Sequence, residues 1–323
     1  MPLSHLLLAL SVVFIWGTNF VVIKWALADF PPFLFAALRF LLSVLPWVLL
    51  FRRPAVPWSR LAAFGVLLGV GQFGVLYWAM QRDITPGMAS LLVQSQVFFT
   101  ILMSMAFTGE RMRLWQALAL VLAVAGYAVV AWYSVADPGA AITLLGVGLV
   151  LLAGLSWACA NMVARTAGRV NMVGFIAWSS LFAVPPIVLI SLLAEGPAAI
   201  AQAVTHASPA AWAAVLWQAV GNTVFGFGAW NWLLARHPAT TVAPMALLVP
   251  VFGMLASTLL LDESLPGWKL SAAALVLGGL ALNLYAGRLD AAARMARVRQ
   301  RRRAAAVAAG ADHPGVRDPA GGA

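Results

Sequence analysis

The chain has 323 residues, of which 63% are hydrophobic and 9% charged, with a net charge of +10. Soluble domains carry about 25% charged residues, and a soluble fold of this length cannot cover so much apolar surface, so a lipid bilayer is the expected solvent. The lone cysteine, Cys159, excludes an intramolecular disulfide and a thiolate metal site.

Apolar stretches of about 20 residues suit a hydrocarbon layer of ~30 Å. They fall near 5–28, 33–51, 60–80, 86–107, 114–133, 142–163, 173–194, 210–235, 241–261 and 267–287, which predicts an all-α membrane protein of ten helices. Turn-formers part them: Pro31-Pro32, Pro54 to Pro57, Thr85-Pro86-Gly87, Asp137-Pro138-Gly139, Glu195-Gly196-Pro197, His237-Pro238 and Pro266-Gly267. The first stretch has no basic lead-in and no small-residue cleavage motif after it. It is also too long for the core of a signal peptide, so it is expected to remain as the first membrane helix.

With both termini in the cytoplasm, 16 of the 20 basic residues lie on that side. Eight are in loops (Arg52, Arg53, Arg60, Arg111, Arg113, Arg165, Arg169, Arg236) and eight in the tail from Arg288 onward. Six of the ten acids (Asp29, Asp83, Asp137, Glu195, Asp262, Glu263) fall on the other side. The positive-inside bias therefore predicts a multi-pass protein with both termini in the cytoplasm, and the Ala-rich, Arg-over-Lys usage suggests a bacterium, whose inner membrane it would occupy. The basic tail, 288–323, is expected to be disordered and to lie against anionic lipid rather than nucleic acid.

The two halves repeat. Glu110 and Glu263, Trp115 and Trp268, and Gly126 and Gly279 are each 153 residues apart. Phe73-Gly74-x-x-x-Trp78 matches Phe225-Gly226-x-x-x-Trp230 at 152, Trp16 matches Trp157 at 141, and Pro46 matches Pro186 at 140. The jump in offset is what a longer loop over 195–210 would produce. The expected units are 1–137 and 138–287, with the tail outside both. Five spans per unit is an odd number, so the second unit inserts upside down, the arrangement of secondary transporters that rock about a midplane site. Pro46, Pro185, Pro186 and Pro250 fall inside spans, as static kinks or as mobile breaks. Gly65-x-x-x-Gly69 marks a close helix contact.

Polar residues within spans are costly and are the candidates for a substrate site. In chain order they are Trp16 and Asn19 in the first span, Lys24 one turn from its outer end, Arg39 in the second, and Gln94 and Gln96 in the fourth. Lys24 reads as a cation lining the pathway or as a side chain snorkelling to the interface. Arg39 reads as a pathway residue or as the partner of Asp29. Gln94 and Gln96 stand about 200° apart on a helix, so one faces the pathway and the other a neighbouring helix. Trp157 and Asn161 share a face of the sixth span, and Asn222, Gly226 and Trp230 share one of the eighth. Trp178 sits in the seventh, and with Trp16, Trp78, Trp157 and Trp230 it can shape a flat, partly apolar pocket. Glu110 and Glu263 close helices on opposite faces and read as terminators paired with Arg111 or Lys269, or as gate or coupling sites. An acid at a helix C-terminus opposes the dipole and calls for compensation.

Several segments resemble the EamA-type drug/metabolite transporters. They are Trp16-Gly17-Thr18-Asn19-Phe20 with Lys24, Leu38-Arg39-Phe40, Ala89-Ser90-Leu91, Gly109-Glu110-Arg111, Leu248-Val249-Pro250-Val251 and Leu261-Asp262-Glu263. Residues 93–100 and 156–161 look most like the branch that exports O-acetylserine and cysteine. The resemblance implies a secondary exporter of small amino-acid metabolites working by alternating access, with Gln94, Gln96, Trp157 and Asn161 in its site. The same pattern fits another cargo, such as a drug, an aromatic amino acid or another metabolite. No cofactor is expected: the chain has no G-x-x-x-x-G-K-[ST] motif. Nor is an enzyme, because His5, His206, His237 and His313 lie at ends, in loops or in the tail, with no catalytic motif near them. Proton coupling and the oligomeric state stay open.

Overall fold

In a computed structural model, residues 1–45, 47–108, 112–136, 141–168 and 170–287 are described. Pro46, Glu110, Arg111, Asp137, Pro138, Gly139, Arg169 and the basic tail lie outside them.

Among the described residues, ten helical segments cross the bundle. Nine are long and apolar enough to span a membrane: Leu3–Asp29, Pro32–Leu50, Trp58–Arg82, Pro86–Phe107, Leu114–Ala136, Leu144–Thr166, Met172–Ala194, Ala243–Leu261 and Gly267–Gly287. The eighth in chain order, 209–236, is continuous but less apolar, because Gln218, Asn222 and Thr223 interrupt it. Large side chains such as Val121, Trp132, Leu193 and Leu259 are exposed around the perimeter. A lipid solvent makes that favourable.

The segment expected as a loop over 195–210 instead holds a short helix, Pro197–His206. Proline at its first turn and an alanine-rich run favour helix there, and Gly196 supplies the left-handed entry at φ 86°.

The two five-helix repeats face each other with an inverted symmetry that the packing makes visible. The first helix packs on the ninth as the sixth packs on the fourth. The third packs on the sixth and seventh as the eighth packs on the first and second. The fifth and tenth meet reciprocally: a Cβ on Gly126 would stand 3.0 Å from the Ala272 carbonyl oxygen, and one on Gly279 would stand 2.6 Å from that of Ala119. Each glycine thus opens the close approach for the partner helix.

Two pairs of related helices are irregular. The third and the eighth each contain a π-helical stretch, Leu67–Gly74 and Trp217–Phe225. The fourth breaks at Val93 and Gln94, and the ninth begins with a 3-10 turn, Ala243–Leu247. Pro250 therefore sits in the first turn of Leu248–Leu261, where its missing N–H is tolerated, rather than kinking a helix interior. Pro185 and Pro186 do lie within the unbroken helix Met172–Ala194.

One face of the bundle carries the N-terminus. The opposite, distal face carries the turns after the first, third, seventh and ninth helices. All five described carboxylates lie on the distal face, and four of them cross between repeats. Asp29 accepts from the Ser208 N–H and hydroxyl at the start of the eighth helix. Thr143, which caps the sixth helix, bonds the Asp83 backbone and carboxylate. Glu195 accepts from the Phe33 and Leu34 N–H groups that open the second helix, and Glu263 from the Gly87 N–H near the start of the fourth. The even-numbered helices begin on this face, so their unpaired N–H groups and positive dipole ends favour acids there.

Candidate functional site

A buried polar layer crosses the bundle where the two π-helical stretches both pack on the second helix. Arg39, 2% exposed, reaches from the second helix to both. Its Nη1 donates to the Tyr77 hydroxyl at 2.7 Å and its Nη2 to the Thr223 hydroxyl at 3.4 Å. The guanidinium carbon lies 3.5 Å from the centroid of the Phe73 ring, a cation–π contact in a desolvated setting. Phe73 belongs to the first π stretch and Thr223 to the second.

Next to it, Asn19 and Gln218 are paired. Gln218 Nε2 donates to Asn19 Oδ1 at 2.8 Å, and Asn19 Nδ2 returns a longer bond of 3.4 Å. Asn222 Nδ2 reaches the same Gln218 oxygen at 3.5 Å, and the Thr223 hydroxyl donates to the Gln218 carbonyl at 2.8 Å. The π geometry turns the Gly226 N–H toward the Gly221 and Thr223 carbonyls. The Asn222 carbonyl instead accepts from Trp16 Nε1 at 3.2 Å. Trp16 also packs against Phe227 and Trp230, with ring centroids 5.4 and 5.3 Å away. π-helical insertions of this kind occur frequently at functional sites.

The structure therefore brings together Trp16, Asn19, Arg39 and Trp230 and adds Tyr77, Gln218, Asn222 and Thr223. Asn222 is on the face already noted with Trp230. Gln218 and Thr223 carry the same signal that singled out the others, polarity inside a span. The asparagine–glutamine pair is expected to couple modestly. In a double-mutant cycle of Asn19→Ala and Gln218→Ala, the interaction energy should be about 0.6 kcal/mol and no more than ~1.7. A value at zero would mean that the two amides find equal partners elsewhere when separated.

The other sequence candidates lie apart. Gln96 accepts from Asn161 Nδ2 at 3.0 Å and Thr100 from the same nitrogen at 3.3 Å, which joins the fourth and sixth helices below the break. Gln94 stands in that break, its carbonyl bonded by the Val97 N–H. Trp157 is half-buried against the main core. Trp178 lies toward the N-terminal face, where Nε1 donates to the Phe51 carbonyl at 3.0 Å and the ring tilts against Trp58.

Lys24 also has other partners than a carboxylate. Its Nζ donates to the Met80 and Gln81 carbonyls at 2.9 and 3.1 Å, the unpaired acceptors at the end of the third helix. Arg39 is not paired with Asp29, which bonds Ser208 instead.

Lys24, Arg82, Asp262, Glu263 and Lys269 line a cavity of about 670 Å³ on the distal face, between the repeats. Asp262, at φ 53°, turns the chain back after the ninth helix. Glu263 then accepts from Lys269 Nζ at 2.9 Å, from the Thr85 and Ser257 hydroxyls and from the Gly87 N–H at 3.1 Å. Both members of the ion pair have side chains 7% exposed. Burial pushes the Glu263 carboxyl up, but the bonds from Ser257, Thr85 and Lys269 and the lysine charge outweigh it and hold it below its usual range. The acid at a helix end thus finds its compensation at the start of another helix. Glu110, its counterpart in the first repeat, lies outside the described residues.

A family model described as "EamA-like transporter family" matches residues 3–132 and again 144–285. A protein of Salmonella typhimurium named "Probable amino-acid metabolite efflux pump" is 37% identical over 292 residues, covering 89% of this chain and 97% of the relative. One of the same name from Escherichia coli is 36% identical over 282 residues, 86% of this chain and 94% of the relative. A solved crystal structure superposes with a TM-score of 0.60 at 20% identity over 90% of this chain and 99% of its own. That likeness speaks of fold alone.

Proposed function

This chain belongs to the EamA-like transporter family, and on that premise we propose that it exports small amino-acid metabolites, of the O-acetylserine and cysteine type, by alternating access. The observation that carries the reading is the buried polar layer. Groups that cost free energy in a membrane interior are gathered at one level, drawn from both repeats, and flanked by irregular backbone in related helices. Backbone irregularity at membrane depth is tolerated where it is buried in protein or lines a pathway. The two efflux-pump relatives support the cargo class.

The working orientation puts the N-terminal face in the cytoplasm. Among the described residues, Arg52, Arg53, Arg60, Arg113, Arg165 and Arg236 end helices or sit in turns on that face, against Lys24, Arg82 and Lys269 toward the distal one. Cargo would enter near the polar layer from the cytoplasm and leave through the charged distal cavity.

A flux assay tests this. Bacteria expressing the protein should accumulate more extracellular cysteine and O-acetylserine than vector controls. Gln218→Leu, present in the membrane at the same level, should lose most of the excess, because it strands Asn19 and Asn222. Wild-type protein in the membrane with no accumulation above vector would refute the cargo assignment.

A further inference from the structure

Among the described residues, Arg39 is a buried cation with no anion beside it. The two hydrogen-bond acceptors it meets are neutral hydroxyls, those of Tyr77 and Thr223, and its Nε–H is fully buried with no partner. The five described carboxylates all lie on the distal face, and four of them are engaged there by the helix starts. An unpaired charge inside a membrane is expensive, and the Phe73 face relieves only part of that cost. A guanidinium presents five donors in a planar fork matched to a carboxylate. Two are turned here toward hydroxyls, and the Nε edge is left over.

We infer that Arg39 is the anion seat of this carrier: a carboxylate on the substrate is its missing counter-ion, and the substrate's amine is not ionically recognised. The second half follows from the same inventory. The polar layer beside Arg39 consists of the amides of Asn19, Gln218 and Asn222, and among the described residues no acid stands there to meet an ammonium group. The substrate class is therefore small polar carboxylates. N-acylated amino acids and hydroxy acids belong to it along with free amino acids, while esters and amides of the same acids do not. In the conformation described, the Nε–H is covered, so the seat becomes accessible as the helices around Arg39 move apart.

This deepens the exporter reading and rests on it for the direction of transport, but binding alone tests it. Full-length protein purified in detergent would be titrated with O-acetylserine, N,O-diacetylserine, O-acetylserine methyl ester and O-acetylserine amide, following tryptophan fluorescence or thermal melting. The two free acids should bind within a few-fold of each other. The ester and the amide should bind at least about tenfold more weakly, since they leave a buried cation unpaired. Arg39→Gln should level acids and amides. Arg39→Lys should keep a preference for acids at reduced affinity, which separates loss of charge from loss of fold.

The inference is overturned if wild-type protein shows no preference for acids over amides, including the case where neither acid binds. It is overturned equally if Arg39→Gln keeps the preference, or if blocking the amine abolishes binding. Failure of the exporter reading looks different: acids would still be preferred in vitro, but cells would not accumulate cysteine or O-acetylserine outside.

Discussion

Glu263→Ala is expected to cost about 3–5 kcal/mol of stability, the range for breaking a buried ion pair from one side. The variant leaves the Lys269 ammonium with only the Ser264 carbonyl as a bonded acceptor. It also strips the Gly87 N–H and the Thr85 and Ser257 hydroxyls of theirs. Glu263→Gln should lose less, since an amide oxygen still accepts from the helix start. Adding Lys269→Met to Glu263→Ala should recover part of the loss, because the uncompensated charge goes with it. Equal melting of Glu263→Ala and wild-type protein would show that the pair stabilises nothing.

The pH dependence carries a definite sign. The Glu263 carboxyl is held below its usual range, so the folded state binds its proton less readily than the unfolded one. Its contribution is complete above the usual carboxylate range and fades as the pH falls through the depressed value. The difference in melting temperature between wild type and Glu263→Gln should therefore be full at neutral pH and shrink in acid. A difference that grew on acidification would contradict the geometry. The same contact ties the end of the ninth helix to the start of the fourth, across the two repeats. Under the proposed alternating access this contact would hold the distal face closed, so the Gln variant is also expected to open that face more readily.

Much of this arrangement can be derived from residue order alone. Runs of leucine, valine and alanine between proline and glycine pairs mark the spans to within a few residues: 5–28 becomes Leu3–Asp29, and 114–133 becomes Leu114–Ala136. The recurrence of Trp16 at Trp157 and of Gly126 at Gly279 announces the inverted repeat, and the reciprocal contact of Gly126 and Gly279 gives it a physical basis. The π-helical stretches could not be anticipated in this way. A π turn differs from an α turn by one hydrogen-bond register, and here that register is chosen by tertiary partners such as Trp16 on the Asn222 carbonyl. For the same reason the polar candidates divided unexpectedly. Polarity in a span says that a side chain needs a partner; it does not say whether the partner is a helix end, as for Lys24, a neighbouring amide, as for Gln96, or nothing at all, as for the Nε of Arg39.

Gly65→Leu is expected to abolish accumulation of folded protein in the membrane. Gly65 lies where the third helix of the first repeat crosses the seventh helix of the second. A Cβ there would overlap the Ser179 carbonyl oxygen and press on the Ala183 nitrogen. These are backbone atoms, so no side-chain rotation relieves the clash. One turn on, a Cβ at Gly69 would stand 2.5 Å from the Ala183 methyl carbon. Overpacking a close-packed site costs about 1–3 kcal/mol where side chains can adjust, and more is expected where two helices must separate. Gly69→Ala is the graded companion: its first obstacles are the Ala183 methyl and the flexible end of Ile187, so a partial loss of melting temperature should replace the loss of the protein. Pairing it with Ala183→Gly should restore stability, because the methyl moves from one side of the contact to the other. Full recovery in that pair would place the cost at the seam between the repeats. No recovery would locate it within the third helix, whose π-helical stretch includes Gly69. The distinction bears on the polar layer, because the third helix carries Phe73 and Tyr77 and the eighth Thr223, all in contact with Arg39 of the second. A seam too tight to approach closely, or too loose to hold, alters the setting of that buried charge as well as the stability of the bundle.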